Sequence, residues 1–159
     1  MVKTNAMRLL EAAKIPYRTS EFDYDEADLT GVSAAKIIGV PHEQVFKTLV
    51  SRGDKTGVTV FCIPVAEELD LKKAAAVSGN KRVELTHVKE LLALTGYIRG
   101  GCSPVGMKKK YPTYIDETAE LFVEITVSAG ARGLMMTLSP LALRNYVGAE
   151  FKSLTVWDG

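Results

Sequence analysis

The chain has 159 residues, 47% of them hydrophobic and 25% charged, with 20 Lys and Arg against 19 Asp and Glu for a formal charge of +1. This is the balance of a soluble globular protein, long enough to bury a core as one domain over residues 1–159. The near-neutral charge excludes the chain-wide basic footprint of a stand-alone nucleic-acid binder, so any such partner would need a local patch or a second protein.

In chain order, Thr4 is placed to cap a first helix whose apolar face carries Ala6, Leu9, Leu10 and Ala13. Pro16 ends it, and residues 17–24 read as a strand leading into the acidic loop 23–28. A short helix restarts at Gly31, with Ala34, Ala35, Ile37 and Ile38 as its buried side and Gly39 as its stop. Residues 45–51 and 58–65 are strand-forming runs joined by the polar, glycine-bounded stretch 52–57, a hairpin pattern. The second run is almost wholly apolar, which predicts a central strand covered on both faces.

Helices are predicted over 69–78 and 87–95, with Asp70 and Thr86 as caps and Gly79 and Gly96 as ends. Further strands are expected at 113–116, 121–128 and 134–138. Ser139-Pro140 then opens a helix that closes at Gly148, and a last strand spans 151–156. The elements are interspersed without a regular βαβ series, which points to an α+β domain on a mixed sheet. The opening residues 1–14 are mixed and amphipathic, unlike a secretory leader, and no apolar run nears the roughly 20 residues of a membrane span. A cytoplasmic protein is the expectation.

Cys62 and Cys102 form no CxxC, and with only His42 and His87 beside them there is no metal-ligand spacing, so neither metal nor other cofactor is expected. Lys47 is unusual as a lysine inside an apolar strand. Alternation puts it on a face with Leu49, at the edge of a partly covered pocket. The stretch TGYIRGGCSPVGMKKKYP (95–112) combines a Gly100-Gly101 pair with Pro104, a loop able to aim main-chain N–H groups at an oxyanion. Cys102 has no local base to activate it and reads as incidental. Arg99, Lys108, Lys109 and Lys110, flanked by Tyr97 and Tyr111, are candidates for phosphate contact and base stacking. Residues 128–133 form a small-residue turn between two strands.

Four of these segments, VFKTLV, PVAEELDLKKAA, TGYIRGGCSPVGMKKKYPTYID and SAGARGL, resemble in that order the YbaK/EbsC (ProX-like) family of free-standing aminoacyl-tRNA editing domains. The resemblance implies a compact α+β fold with a mixed, partly barrel-like sheet ringed by helices. It implies metal-free removal of an amino acid from mischarged tRNA, with Cys-tRNA(Pro) or Cys-tRNA(Cys) as foremost substrates. On its pattern Lys47 matches the family's essential lysine, Thr48 and Ser128 match polar pocket positions, and Gly100, Gly101, Ser103 and Pro104 match the loop that cradles the aminoacyl carbonyl. Phe22, near Tyr24, stands where the cysteine-specific branch has a tyrosine, and Met135 where it has an aspartate. Residues 25–31 are similar to the EbsC-type branch, and the amino acid removed stays open.

Under this reading the substrate's own thiol, or for other amino acids a water, attacks the ester, while Lys47 positions and polarises it. Lys47 and Gly101 should then line one pocket. The low net charge implies a transient complex with a synthetase, foremost prolyl-tRNA synthetase, for tRNA selection. The competing reading is a non-catalytic tRNA- or synthetase-associated module on the same fold, which would need neither Lys47 nor the glycine-proline loop.

Overall fold

The computed structural model describes residues 2–156. Helix α1 (Asn5–Ala12) starts at Thr4, whose hydroxyl accepts from Met7 N–H and donates to the Ala129 carbonyl, fixing the helix against the sheet at its first turn. Ala6, Met7 and Leu10 are fully buried beneath it, while Ala13 is exposed. Strand β1 (Arg18–Glu21) is shorter than expected, because its register with β7 (Leu134–Leu138) ends at Glu21 opposite Leu134. Phe22 N–H makes one more bond, to the Gly133 carbonyl, before the chain turns away.

Helix α2 (Gly31–Ile38) is capped by Thr30 and stopped by Gly39 in the left-handed region. Ala34 and Ala35 are buried as predicted, but Ile37 is 55% exposed. The hairpin of β2 (Phe46–Gly53) and β3 (Gly57–Pro64) pairs Phe46 with Pro64 through to Gly53 with Gly57. Its turn is held by Asn80, whose Oδ1 accepts from the Lys55 and Thr56 N–H groups and whose Nδ2 donates to Thr56 Oγ1 and Ser78 Oγ.

β3 is central, antiparallel to β2 and parallel to β5 (Thr113–Asp116). Val60, Phe61, Cys62 and Ile63 are each 0% exposed, as its apolar run predicts. Val60 and Cys62 face the main core with α1. Phe61 and Ile63 face a second core under α3 (Leu71–Ser78), with Leu69, Ala74 and Leu154. Full burial of each large apolar side chain contributes about 1.5–3 kcal/mol, so this strand anchors both layers.

Strand β4 (Val83–Leu85) was not predicted. Only three residues long and partly charged, it exists because it pairs with Ser51–Gly53 of β2. Thr86 does not cap the following helix. Both its N–H and its hydroxyl donate to the Val50 carbonyl, and a 3-10 turn (Val88–Glu90) precedes a one-turn α4 (Leu91–Thr95). Residues 117–121 likewise form a 3-10 turn on the Asp116 cap, so β6 runs later than expected, Ile125–Ala131. Helix α5 (Pro140–Val147) starts at the Ser139 cap and is followed by β8 (Glu150–Lys152), shorter than predicted since Leu154 N–H turns to the Asp116 carboxylate.

Among the described residues eight strands form two sheets, β1-β7-β6 and β4-β2-β3-β5-β8, joined at an isolated parallel bridge between Val45 and Thr126. The result is a single α+β domain with a mixed, partly barrel-like strand arrangement. Among the described residues no helix is long and apolar enough to cross a membrane.

Candidate active site

Beside the Val45–Thr126 bridge the two sheets splay, and between them lies a cleft of about 760 Å³. Its walls are β2, the loop and first turns of α2, the β4–α4 connection, the glycine-rich loop and the β6–β7 turn. Phe22, Tyr24, Lys47, Thr48, Arg99, Gly100, Ser128 and Met135, drawn from five separate stretches of sequence, all line it.

Lys47 is half-buried, on the face of β2 that carries Ile63 opposite it. Burial lowers the pKa of its ammonium, and the carboxylates of Glu68 and Glu67 partly oppose that shift. Among the described residues no carboxylate comes within ion-pair distance of it. Its charge therefore remains available to a ligand. Thr48 faces the opposite side, its hydroxyl 3.8 Å from Cys62 Sγ. Met135 lies between Ser20 and Ser128 in the three-stranded sheet and packs with Ala35, Val45 and Val65, with Phe22 against them, making an apolar end to the cleft. Gly133 permits the approach of this wall: at φ +75° a Cβ there would lie 2.6 Å from the Phe22 carbonyl oxygen and 2.8 Å from the Tyr24 ring.

The glycine-rich loop divides into a cleft side and a buried side. Arg99, Gly100 and Cys102 border the cleft. Gly101 does not, contrary to expectation: it is buried against the Ala131–Arg132 backbone, and its N–H is committed to the Ile98 carbonyl. Ser103 is 0% exposed, its hydroxyl accepting from Val105 N–H, and Pro104 is buried next to it. These three residues shape the loop from beneath and do not reach the cleft. Cys102 lies closer to the cleft than its reading as incidental implied. Its thiol is pushed up to about 11 by burial, against a lowering contact from Thr95, so it stays protonated at neutral pH.

The basic run is also displaced. Lys108, Lys109 and Lys110 are exposed but none borders the cleft, and Lys108 and Lys110 lie alongside Gly96 and Gly148. The flanking tyrosines serve the fold: Tyr97, buried, donates to the Val105 carbonyl, and Tyr111, half-buried, donates to the Leu94 carbonyl.

Two features escaped the sequence reading. Arg132, treated only as part of a turn, lines the cleft and donates from Nε to the Arg99 carbonyl at 2.8 Å. Asp28 accepts from Thr30 and Ser33 at the mouth of α2, and those bonds hold its carboxyl below its ordinary range. A cation in a six-residue turn of small residues was the only sequence signal for the first. The Asp-x-Thr-x-x-Ser spacing was the signal for the second. Among the described residues no three His, Cys, Asp or Glu side chains gather as a metal-ligand set.

The cleft is thus an apolar-ended cavity with one half-buried ammonium, two arginines in its lining and, at Cys102, a thiol that burial keeps protonated. Residues 26–146 match the model of the aminoacyl-tRNA editing domain. A protein of Enterococcus faecalis (strain ATCC 700802 / V583), named "Putative Cys-tRNA(Pro)/Cys-tRNA(Cys) deacylase EbsC", is 50% identical over 153 residues, 96% of this chain and 93% of that protein. The Bacillus subtilis (strain 168) protein YwhH, of uncharacterised function, is 27% identical over 85% of this chain and 82% of its own length. A crystal structure of "a putative trans-editing enzyme for prolyl tRNA synthetase" superposes with a TM-score of 0.82 at 26% identity, covering 99% of this chain and 100% of the other. A family match over most of the chain, with a 50% identical relative spanning nearly its full length, places this protein in the aminoacyl-tRNA editing domain family.

Proposed function

We propose that this protein is a trans-editing deacylase that removes cysteine from mischarged tRNA(Pro), or from tRNA(Cys), in the cytoplasm where charged tRNA is used. The observation that carries the reading is the shared cleft: Lys47 and Gly100 face the same cavity from different elements, as an ester-binding site requires. The 50% identical relative carries the name "Putative Cys-tRNA(Pro)/Cys-tRNA(Cys) deacylase", which supports the same substrate class. Lys47 would hold and polarise the 3′-terminal ester with its ammonium. Arg99 and Arg132 would meet the phosphates of the single-stranded end.

Cys102, the thiol that borders the cleft, is held protonated by burial, and a cysteinyl ester supplies a sulfur of its own. The substrate sulfur adds to the ester carbonyl, the bond to the terminal ribose oxygen breaks, and the thiol proton ends on that oxygen. A cyclic thiolactone and deacylated tRNA are released. Holding the thiol against the carbonyl makes the attack intramolecular, which supplies a large effective molarity. An ester without a thiol would instead need a water, activated by a neighbouring ribose hydroxyl.

The net charge of +1 gives a weak grip on tRNA, so selection of the tRNA would fall to a transient complex with prolyl-tRNA synthetase. The test is a deacylation panel of Cys-, Ala- and Ser-tRNA(Pro) and Cys-tRNA(Cys), with and without the synthetase and with Lys47→Ala as control. Cysteinyl substrates should be cleared fastest, by a route that Lys47→Ala abolishes without unfolding the protein. Faster clearance of alanyl or seryl esters would reject the cysteine assignment, and full activity of Lys47→Ala would reject the site.

A further inference from the structure

Strand β2 changes neighbours along one edge, and the change leaves a gap. At its start Val45 bridges to Thr126 of β6, and at its far end Ser51, Arg52 and Gly53 pair with β4. The register fixes where the main-chain groups between them point. The Val45 carbonyl accepts from Val65 N–H, so odd-numbered residues of β2 turn both polar groups toward β3 and even-numbered residues turn both away. Val50 obeys this, its carbonyl accepting from Thr86 on the side away from β3. Thr48 sits in the gap: its only strand pairing is with Cys62 of β3, and along the outer edge neither the Val45–Thr126 bridge nor the pairing of β4 reaches it. Five consecutive residues, Phe46 to Val50, border the cleft. Side chains alternate along a strand, so a cleft over one face would meet every second residue. Contact with all five means that the edge itself is presented.

We propose, building on the deacylase reading, that this edge binds the aminoacyl group as a one-residue strand. Thr48 N–H donates to the ester carbonyl oxygen, and the α-ammonium of the substrate donates to Thr48 C=O. An aminoacyl ester carries one acceptor and one donor at the spacing of a single extended residue, the set that a hydrogen-bonded antiparallel pair exchanges. Such a contact reads only atoms common to every amino acid, which leaves discrimination to the Phe22–Met135 end of the cleft. It also supplies an oxyanion donor in place of the Gly101 N–H, which is committed to Ile98. As charge builds on the carbonyl oxygen, a fixed N–H in a partly dry cleft gains strength.

The test removes that one N–H. Thr48→Val, at whatever activity it retains, sets the baseline. Replacing its valine by α-hydroxyisovalerate through nonsense suppression then exchanges the N–H for an ester oxygen. Thr48→Pro, tolerated where an edge N–H points outward, removes the same donor by a second route. Two readouts are taken on folded protein: turnover of Cys-tRNA(Pro), and binding of 3′-(L-alanylamino)-3′-deoxyadenosine by titration calorimetry. Relative to Thr48→Val, turnover should fall roughly 100-fold, as for loss of an oxyanion donor. Affinity for the analogue should weaken about 10-fold, as for one lost hydrogen bond. Unchanged affinity and turnover in the ester variant, or no binding of the analogue to the unmodified protein, would overturn the proposal. If no aminoacyl-tRNA is cleaved at all, the deacylase reading fails, while analogue binding with and without the N–H still decides the role of Thr48.

Discussion

Arg132 donates from Nε to the main-chain carbonyl of Arg99 at 2.8 Å, tying the β6–β7 turn to the glycine-rich loop across the rim of the cleft. The bond uses one edge of the guanidinium and leaves its charge facing the cavity. Arg132→Ala should therefore raise KM for tRNA more than it lowers kcat. It should also flatten the plot of log affinity against log salt by about 0.7 for each single-strand phosphate lost. Arg132→Lys keeps the charge but lacks the fork that meets the Arg99 carbonyl, so it should recover the salt slope and not the full KM. Steady-state kinetics at three salt concentrations separate the two.

The pH dependence follows from Lys47. Burial depresses the pKa of this cationic group below 10.5, and Glu68 and Glu67 raise it partway back. If the ammonium is the working form, catalysed deacylation should fall as pH rises through that depressed value, below where an ordinary lysine would titrate. Glu68→Gln removes the larger of the two opposing influences and should move the alkaline limb lower still, with Glu67→Gln moving it less. The same depression means that below its folded pKa the charged form opposes folding, so Lys47→Met should leave the protein at least as stable at neutral pH while inactive. Rate profiles corrected for uncatalysed ester hydrolysis, with melting curves at pH 7, check both statements.

The lysine run offers a sharper separation. Lys108, Lys109 and Lys110 lie outside the cleft, so replacing all three by Ala should leave turnover of a short aminoacylated acceptor-end analogue within about twofold, the range of surface changes of about 0.5 kcal/mol or less. With full-length tRNA, whose body extends beyond the cleft, the same variant should bind with a weaker salt dependence. An equal loss on both substrates would place the lysines at the reacting end after all.

Much of this was legible in the sequence because local chemistry decided it. Thr4, Asp70 and Ser139 cap helices as their side chains dictate, and the apolar run 58–65 could only be a strand covered on both sides. The segments that misled are those whose state is set by a distant partner. β4 is three residues that become a strand because Ser51–Gly53 need a neighbour, and Thr86 leaves its capping role for the Val50 carbonyl. At the site, side chains such as Lys47, Phe22 and Met135 could be singled out by type and position. No pattern of residue types shows that Gly101 N–H is already bonded or that no strand pairs with Thr48 along its outer edge, since both facts belong to register and to where two sheets part.

That distinction yields a test of Gly101 as a packing residue. An added Cβ would lie 3.0 Å from both Ala131 C and Arg132 N, main-chain atoms that cannot yield without moving the turn that carries Arg132. Gly101→Ala should cost about 1–3 kcal/mol, as overpacking of a filled site does. For a domain of this size that corresponds to a melting point lower by about 2–4 °C per kcal/mol. Because its N–H would be neither removed nor freed, activity of the folded fraction should fall through KM, following the displaced Arg99–Arg132 tie, with kcat little changed. Loss of kcat at unchanged KM and unchanged melting temperature would instead make Gly101 a direct participant. Scanning calorimetry beside steady-state kinetics distinguishes the two outcomes.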